Sequence, residues 1–157
     1  MRRLILAALA LALAGRASAE TAAFLKMHPG ARPVAMGEAY TAIADDLNAL
    51  TTNPAGLSRL GARQASFSHA ELFAGAKYDF AGYAQPIGGT TMGFGFQRLA
   101  QAGLEGRDAS GRQTGSSFGA SDMALNVGMG RRVFGSALAG VNVKFIESRL
   151  ADASAHT

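Results

Sequence analysis

His69 lies three residues after Ser66 and directly after Ser68, which are the residue types of a serine-hydrolase base and nucleophile. The stretch around them reads as a strand, where successive side chains take opposite faces, so His69 points away from both serines. No third orienting group is apparent, and no catalytic residues are assigned: an enzyme is not expected. Asp45-Asp46 with Asn48 brings two carboxylates and an amide together, the donors of a calcium or gating site. The spacing lacks a calcium-loop pattern, which favours a solvated or cavity-facing helix end over a metal site. His28, His69 and His156 are too dispersed to form a metal centre, and cysteine is absent, removing disulfides and thiolate ligands. Neither a metal nor a cofactor is expected.

The ends of the chain set the compartment. Met1-Arg2-Arg3 followed by the apolar run Leu4 to Ala14 and the small-x-small triplet Ala17-Ser18-Ala19 reads as a secretory signal peptide over residues 1–19. Its eleven apolar residues are too few for a bilayer core, which takes about 20 residues of helix. Beyond it no apolar run reaches spanning length, leaving a soluble exported domain or a membrane β-barrel. Removing Arg2, Arg3 and Arg16 from the 15 basic residues leaves 12 against 11 acidic ones, so the large basic field of a nucleic-acid partner is missing.

Clean alternation then argues for a sheet with unlike faces. Met123, Leu125, Val127 and Met129 alternate with Asp122, Ala124, Asn126 and Gly128, and Val141, Val143 and Phe145 alternate with Asn142 and Lys144. Met92, Phe94 and Phe96 alternate with Gly93, Gly95 and Gln97 in the same manner. In a barrel, Met92, Phe94, Phe96, Met123, Leu125, Val127, Val141, Val143 and Phe145 would face lipid. Asp122, Asn126, Asn142 and Lys144 would then line the lumen. Lysine towards mid-bilayer lipid would cost about 2–4 kcal/mol, which fixes that register.

Strands are expected at Ala65 to Phe73, Lys77 to Gln85, Thr91 to Leu99, Ser121 to Met129 and Ser136 to Arg149, with long polar loops at Ala100 to Ala120 and from Ala151. Short turns at Pro86 to Gly89 and Gly130 to Gly135 would be periplasmic and the long loops external. About five strands cannot close, so residues 61–157 are expected to be the N-terminal part of an all-β, antiparallel transmembrane barrel that is truncated here. Ahead of them, Met36, Tyr40, Ile43, Leu47 and Leu50 draw one apolar helical face that stops at Asn53-Pro54. Gly37 and the small residues from Ala39 to Ala44 fit broken short helices as well.

Residues 30–46, with Gly30-Ala31-Arg32-Pro33, Met36-Gly37 and Ala44-Asp45-Asp46, followed by Asn53-Pro54-Ala55-Gly56-Leu57 and preceded by Phe24-Leu25-Lys26, carry a resemblance. The ordered set is similar to the N-termini of outer-membrane barrels related to the long-chain fatty acid transporter FadL, and most similar to the PorV/PorQ type. The resemblance implies a hatch folded into the lumen over residues 20–60, with Asn53, Pro54, Ala55, Gly56 and Leu57 as its motif and Asp45, Asp46 and Asn48 as candidate gating or lumen contacts. It also implies binding or passage of hydrophobic compounds, or reception of exported proteins by a secretion-associated barrel. The expected partners are outer-membrane lipid and a hydrophobic small molecule or exported protein, with no nucleic acid. A soluble exported β-sandwich is the remaining alternative.

Overall fold

The structure is a computed structural model describing residues 22–150 and 153–156. The proposed signal peptide lies outside the described residues. Among the described residues six strands form one sheet in the order β1-β2-β3-β4-β5-β6, every neighbouring pair antiparallel. They are β1 (Gln64–Glu71), β2 (Lys77–Ile87), β3 (Thr90–Arg107), β4 (Gln113–Phe134), β5 (Ala137–Leu150) and β6 (Ala153–His156). Among the described residues β1 and β6 each have one neighbour, so the sheet is open. No helix among them is long and apolar enough to cross a membrane.

Three expectations need correction. The polar stretch Ala100 to Ala120 is not a loop: β3 and β4 continue through it as a paired arm that turns at residues 108–112. Asp108 makes that turn, its Oδ1 accepting from Ser110 N at 2.8 Å and Arg112 N at 2.9 Å. Register shifts after Gln101 and Glu105 interrupt the arm, as expected of an irregular two-stranded extension. Residues 153–156 likewise form β6 rather than a loop, bringing the strands among the described residues to six.

The single helix drawn through Met36 to Leu50 is absent as well. Helical turns occupy only Ala31–Ala35 and Ala49–Thr52, flanked by 3-10 turns at Ala23–Lys26 and Pro54–Arg59. Gly37 and Glu38 take left-handed φ values of 60° and 67°, which breaks the first turn. At the other end Asp46 Oδ1 accepts from Asn48 N at 2.8 Å, while Leu47 N donates to Gln64 Oε1 at 3.0 Å instead of to a helical carbonyl. Met36 and Ile43 are consequently exposed, whereas Tyr40, Leu47 and Leu50 are buried.

Burial comes from the N-terminal segment lying across one face of the sheet. Tyr40, Ala44, Leu47, Ala49, Leu50, Leu57 and Leu60 pack with Ala84 of β2 in one cluster. Phe24, Tyr78 and Ala124 form a second one, joined by Leu25, Met27, Leu99 and Ile146. Fully buried leucines such as Leu50 and Leu57 each contribute about 1.5–3 kcal/mol. They replace the second sheet or helix layer that a domain of this size ordinarily has.

Candidate functional site

Strand parity sorts the sheet into a covered face and a bare one. On the covered face lie Tyr78 and Phe80 of β2, Gly93, Gly95 and Gln97 of β3, Ala124, Asn126, Gly128 and Gly130 of β4, and Gly140, Asn142 and Lys144 of β5. The small residues there are a seat. A Cβ on Gly140 would come closer than 3.0 Å to Ala55 N and Pro54 C, and one on Gly130 would do the same to Pro54 O and Ser58 N. The Asn53-Pro54-Ala55-Gly56-Leu57 motif thus rests with its backbone directly on β4 and β5, a fit that needs residues without side chains.

Amides of the sheet tie the segment down. Asn142 Nδ2 donates to Leu50 O at 2.6 Å. Asn126 Nδ2 donates to Gln97 Oε1 at 3.0 Å, Gln97 Nε2 donates to Tyr78 Oη at 2.7 Å, and Tyr78 Oη donates to Met27 O at 3.2 Å. This chain of donors runs across three strands into the backbone of the N-terminal segment. Each member is polar and buried, so each must be satisfied to avoid a desolvation cost of about 1–3 kcal/mol. Asn126 Oδ1 and Asn142 Oδ1 are buried with no protein partner. On β1, Ser68 Oγ donates to Pro29 O at 2.6 Å.

The residues singled out from the sequence fall into place unevenly. Asn126 and Asn142 bond as described, Lys144 is half-buried on the same face, and Asp122 lies partly buried at its upper end. Asn53 does not fasten its own turn. Its Nδ2 reaches Thr41 O at 3.0 Å, while the turn closes through Gly56 N to Asn53 O at 2.8 Å. Asp45 and Asp46 are clasped by Arg32 Nη1 at 2.6 and 3.0 Å, with the guanidinium 5.4 Å from the Tyr40 ring centroid. Asn48 donates to Asp46 Oδ1 through both its backbone N and its side chain.

These contacts set the local proton affinities. Burial favours protonation of Asp46, but hydrogen bonds from Tyr40, Asn48 and Arg32 outweigh it and hold the carboxyl below its usual range. Burial, followed by the adjacent Asp46 carboxylate, pushes the Tyr40 phenol up to about 12. Hydrogen bonds to Asp45 and Asp46 raise Arg32 further above its already high value. Across the strands, His69 Nδ1 meets Asp79 Oδ1 at 2.6 Å, supplying the orienting partner that sequence reading lacked. Neither Ser66 nor Ser68 shares the face of that pair.

Sequence reading missed Tyr78, Gln97, Arg32 and the glycine seat. One signal for the seat was present, because Gly93 and Gly95, and again Gly128 and Gly130, alternate with large apolar residues within their strands.

The bare face is the opposite in kind. Met92, Met129 and Val141 form one row across the strands, Phe94, Val127 and Val143 the next, and Phe96, Leu125 and Phe145 the third. Phe94, Leu125 and Phe145 are 49%, 56% and 61% exposed, and among the described residues nothing covers them. Arg98 and Glu147 bound this band at one end and Arg131 at the other. All nine residues assigned to lipid from the sequence lie on this side, with Phe96 and Met123 half-buried. Contiguous apolar surface of this kind is characteristic of interaction faces.

Residues 9–146 match the model of an uncharacterised protein family, UPF0164. No curated protein and no solved structure matches the chain.

Proposed function

We propose that this chain, which belongs to the uncharacterised protein family UPF0164, forms part of an outer-membrane β-barrel whose N-terminal segment is a hatch over the lumen wall, and that the complete barrel binds or passes hydrophobic compounds. One observation carries the reading: the same strands present a polar, glycine-rich face covered by the N-terminal segment and an uncovered face of large apolar side chains. Water would penalise the second face; hydrocarbon would not. Open edges at β1 and β6 would leave unpaired backbone groups in lipid at several kcal/mol each, so closure requires further strands or further copies. Exposed Phe73 and Phe134 stand at opposite ends of the sheet, where a barrel places its aromatic girdles.

The resemblance to the FadL-related and PorV/PorQ barrels supports this assignment, and the N-terminal signal sequence supports export. Hydrophobic cargo suits the hatch because it meets the wall through buried leucines, backbone against glycine and a few amides, with few charged groups between them. Vesicle leakage tests it. Deleting residues 22–60 from the full-length protein should raise the flux of small solutes and hydrophobic dyes through reconstituted vesicles, and unchanged flux would refute the hatch.

A second reading, a secretion-associated barrel that receives exported proteins without small-molecule transport, is favoured by the β3–β4 arm. Gln101 to Arg107 and Gln113 to Ala120 project past the ends of β1 and β2 as a polar hairpin open to a partner. Co-purification of secreted proteins from solubilised membranes, lost when residues 103–117 are replaced by a short turn, would select this reading over the first.

A further inference from the structure

Just above the apolar band the bare face changes character. Lys77 of β2, Ala100 of β3, Ser121 of β4 and Arg149 of β5 stand in one cross-strand row. The next row down holds Asp79, Arg98, Met123 and Glu147, and below that come Phe96, Leu125 and Phe145. Lys77, Asp79, Arg98, Gln101, Ser121 and Arg149 line a shallow cavity of about 510 Å³ on this surface. Its lining carries three cations against one carboxylate, with Glu71 and Glu147 beside two of the cations.

The cations are held unequally. Among the described residues Arg98 makes no ion pair. Lys77 Nζ is 3.9 Å from Glu71, an exposed pair, and Asp79 is taken up by His69. Arg149 pairs with Glu147 of its own strand. Successive rows on one face are about 7 Å apart along a strand, so an anion held between Arg98 and Arg149 sits one side-chain length from the first apolar row.

We infer that this cavity binds the phosphate of a membrane-lipid headgroup, whose acyl chains lie along Phe96, Leu125 and Phe145. Arginine suits the role because its planar fork donates two parallel hydrogen bonds to phosphate oxygens. Snorkelling cations at the edge of an apolar band place their charge at headgroup depth. The inference rests on the barrel reading, and it adds a lipid class to it.

Native mass spectrometry of the full chain, released from vesicles of phosphatidylcholine doped with phosphatidic acid, tests the site. Wild type should retain phosphatidic acid over phosphatidylcholine, and the double variant Arg98→Gln/Arg149→Gln should lose at least about tenfold of that retention. Glu147→Gln, which frees Arg149, should raise retention, an outcome that a merely damaged fold would not produce. Equal retention by wild type and the double variant would overturn the site, as would displacement of the lipid by inorganic phosphate at the same concentration. Alkaline extraction of membranes separates the two levels. Protein that stays in the pellet without preferring phosphatidic acid overturns the lipid site alone, whereas protein released to the supernatant overturns the barrel reading together with it.

Discussion

The covered and bare faces of β3, β4 and β5 share one backbone, one register and one alternation, yet obey different rules. On the covered face identity is dictated atom by atom: Gly130 and Gly140 yield to the backbone of residues 54–58, and Asn142 meets a single carbonyl. On the bare face only size and polarity are kept, since Phe94, Val127 and Val143 stand side by side across the strands and, among the described residues, nothing covers them. Contacts with protein specify residues; contact with a medium specifies only a class of residue.

Breaking the covered face should have the largest effect. Leu50→Ala empties a fully buried site between the N-terminal segment and the glycine seat and should cost about 2–5 kcal/mol, read as a lowered unfolding midpoint. Val143→Arg attacks the other face. In lipid it should cost about 2–4 kcal/mol and lower the yield of membrane-inserted protein, while in a water-exposed sheet it would be nearly neutral. Only this pair of results together separates the rules of the two faces. Gly140→Val is subtler, forcing the backbone at Pro54-Ala55 away from β5 at a cost of about 1–3 kcal/mol. Limited proteolysis should then cut between residues 40 and 60 faster, with the sheet unaffected.

What could be read from the sequence follows the same division. The bare face was legible because Met123 to Met129 and Val141 to Phe145 alternate apolar with polar or small residues, a pattern visible without reference to distant residues. The β3–β4 arm was not legible. Both of its faces are wet, so Gly, Ser and Gln recur without alternation, and its strands are evident only from their pairing with each other. Met36 to Leu50 misled because helical spacing of apolar residues was real, but the left-handed Gly37-Glu38 step and the Asp46 turn override it. Gln97 looked like an ordinary polar residue, since its role depends on Tyr78 and Asn126 in neighbouring strands.

Arg32→Ala gives the smallest change, because the clasp on Asp45 and Asp46 is exposed to solvent. The unfolding midpoint should barely move, whereas hydrogen exchange around residues 40–48 should quicken. Its pH dependence is more telling. Asp46 is held below its usual range in the folded chain, so its contribution is intact above about pH 4 and is lost as pH falls through the lowered value. Tyr40 works at the other end: its contribution is full below about pH 10 and fades as pH rises towards about 12. Exchange protection of residues 40–48 should therefore be flat between pH 5 and 9 in the wild type, and loss of protection there inside that window would contradict the clasp.

The chain has no cysteine, which allows single cysteines to be placed at will. Fluorophores attached one at a time to residues 141 to 145 in the full-length protein, in vesicles containing brominated lipid, address the division of faces directly. A barrel wall predicts strong quenching at Val141, Val143 and Phe145 and weak quenching at Asn142 and Lys144. Equal quenching at odd and even positions, or none at any, would contradict it.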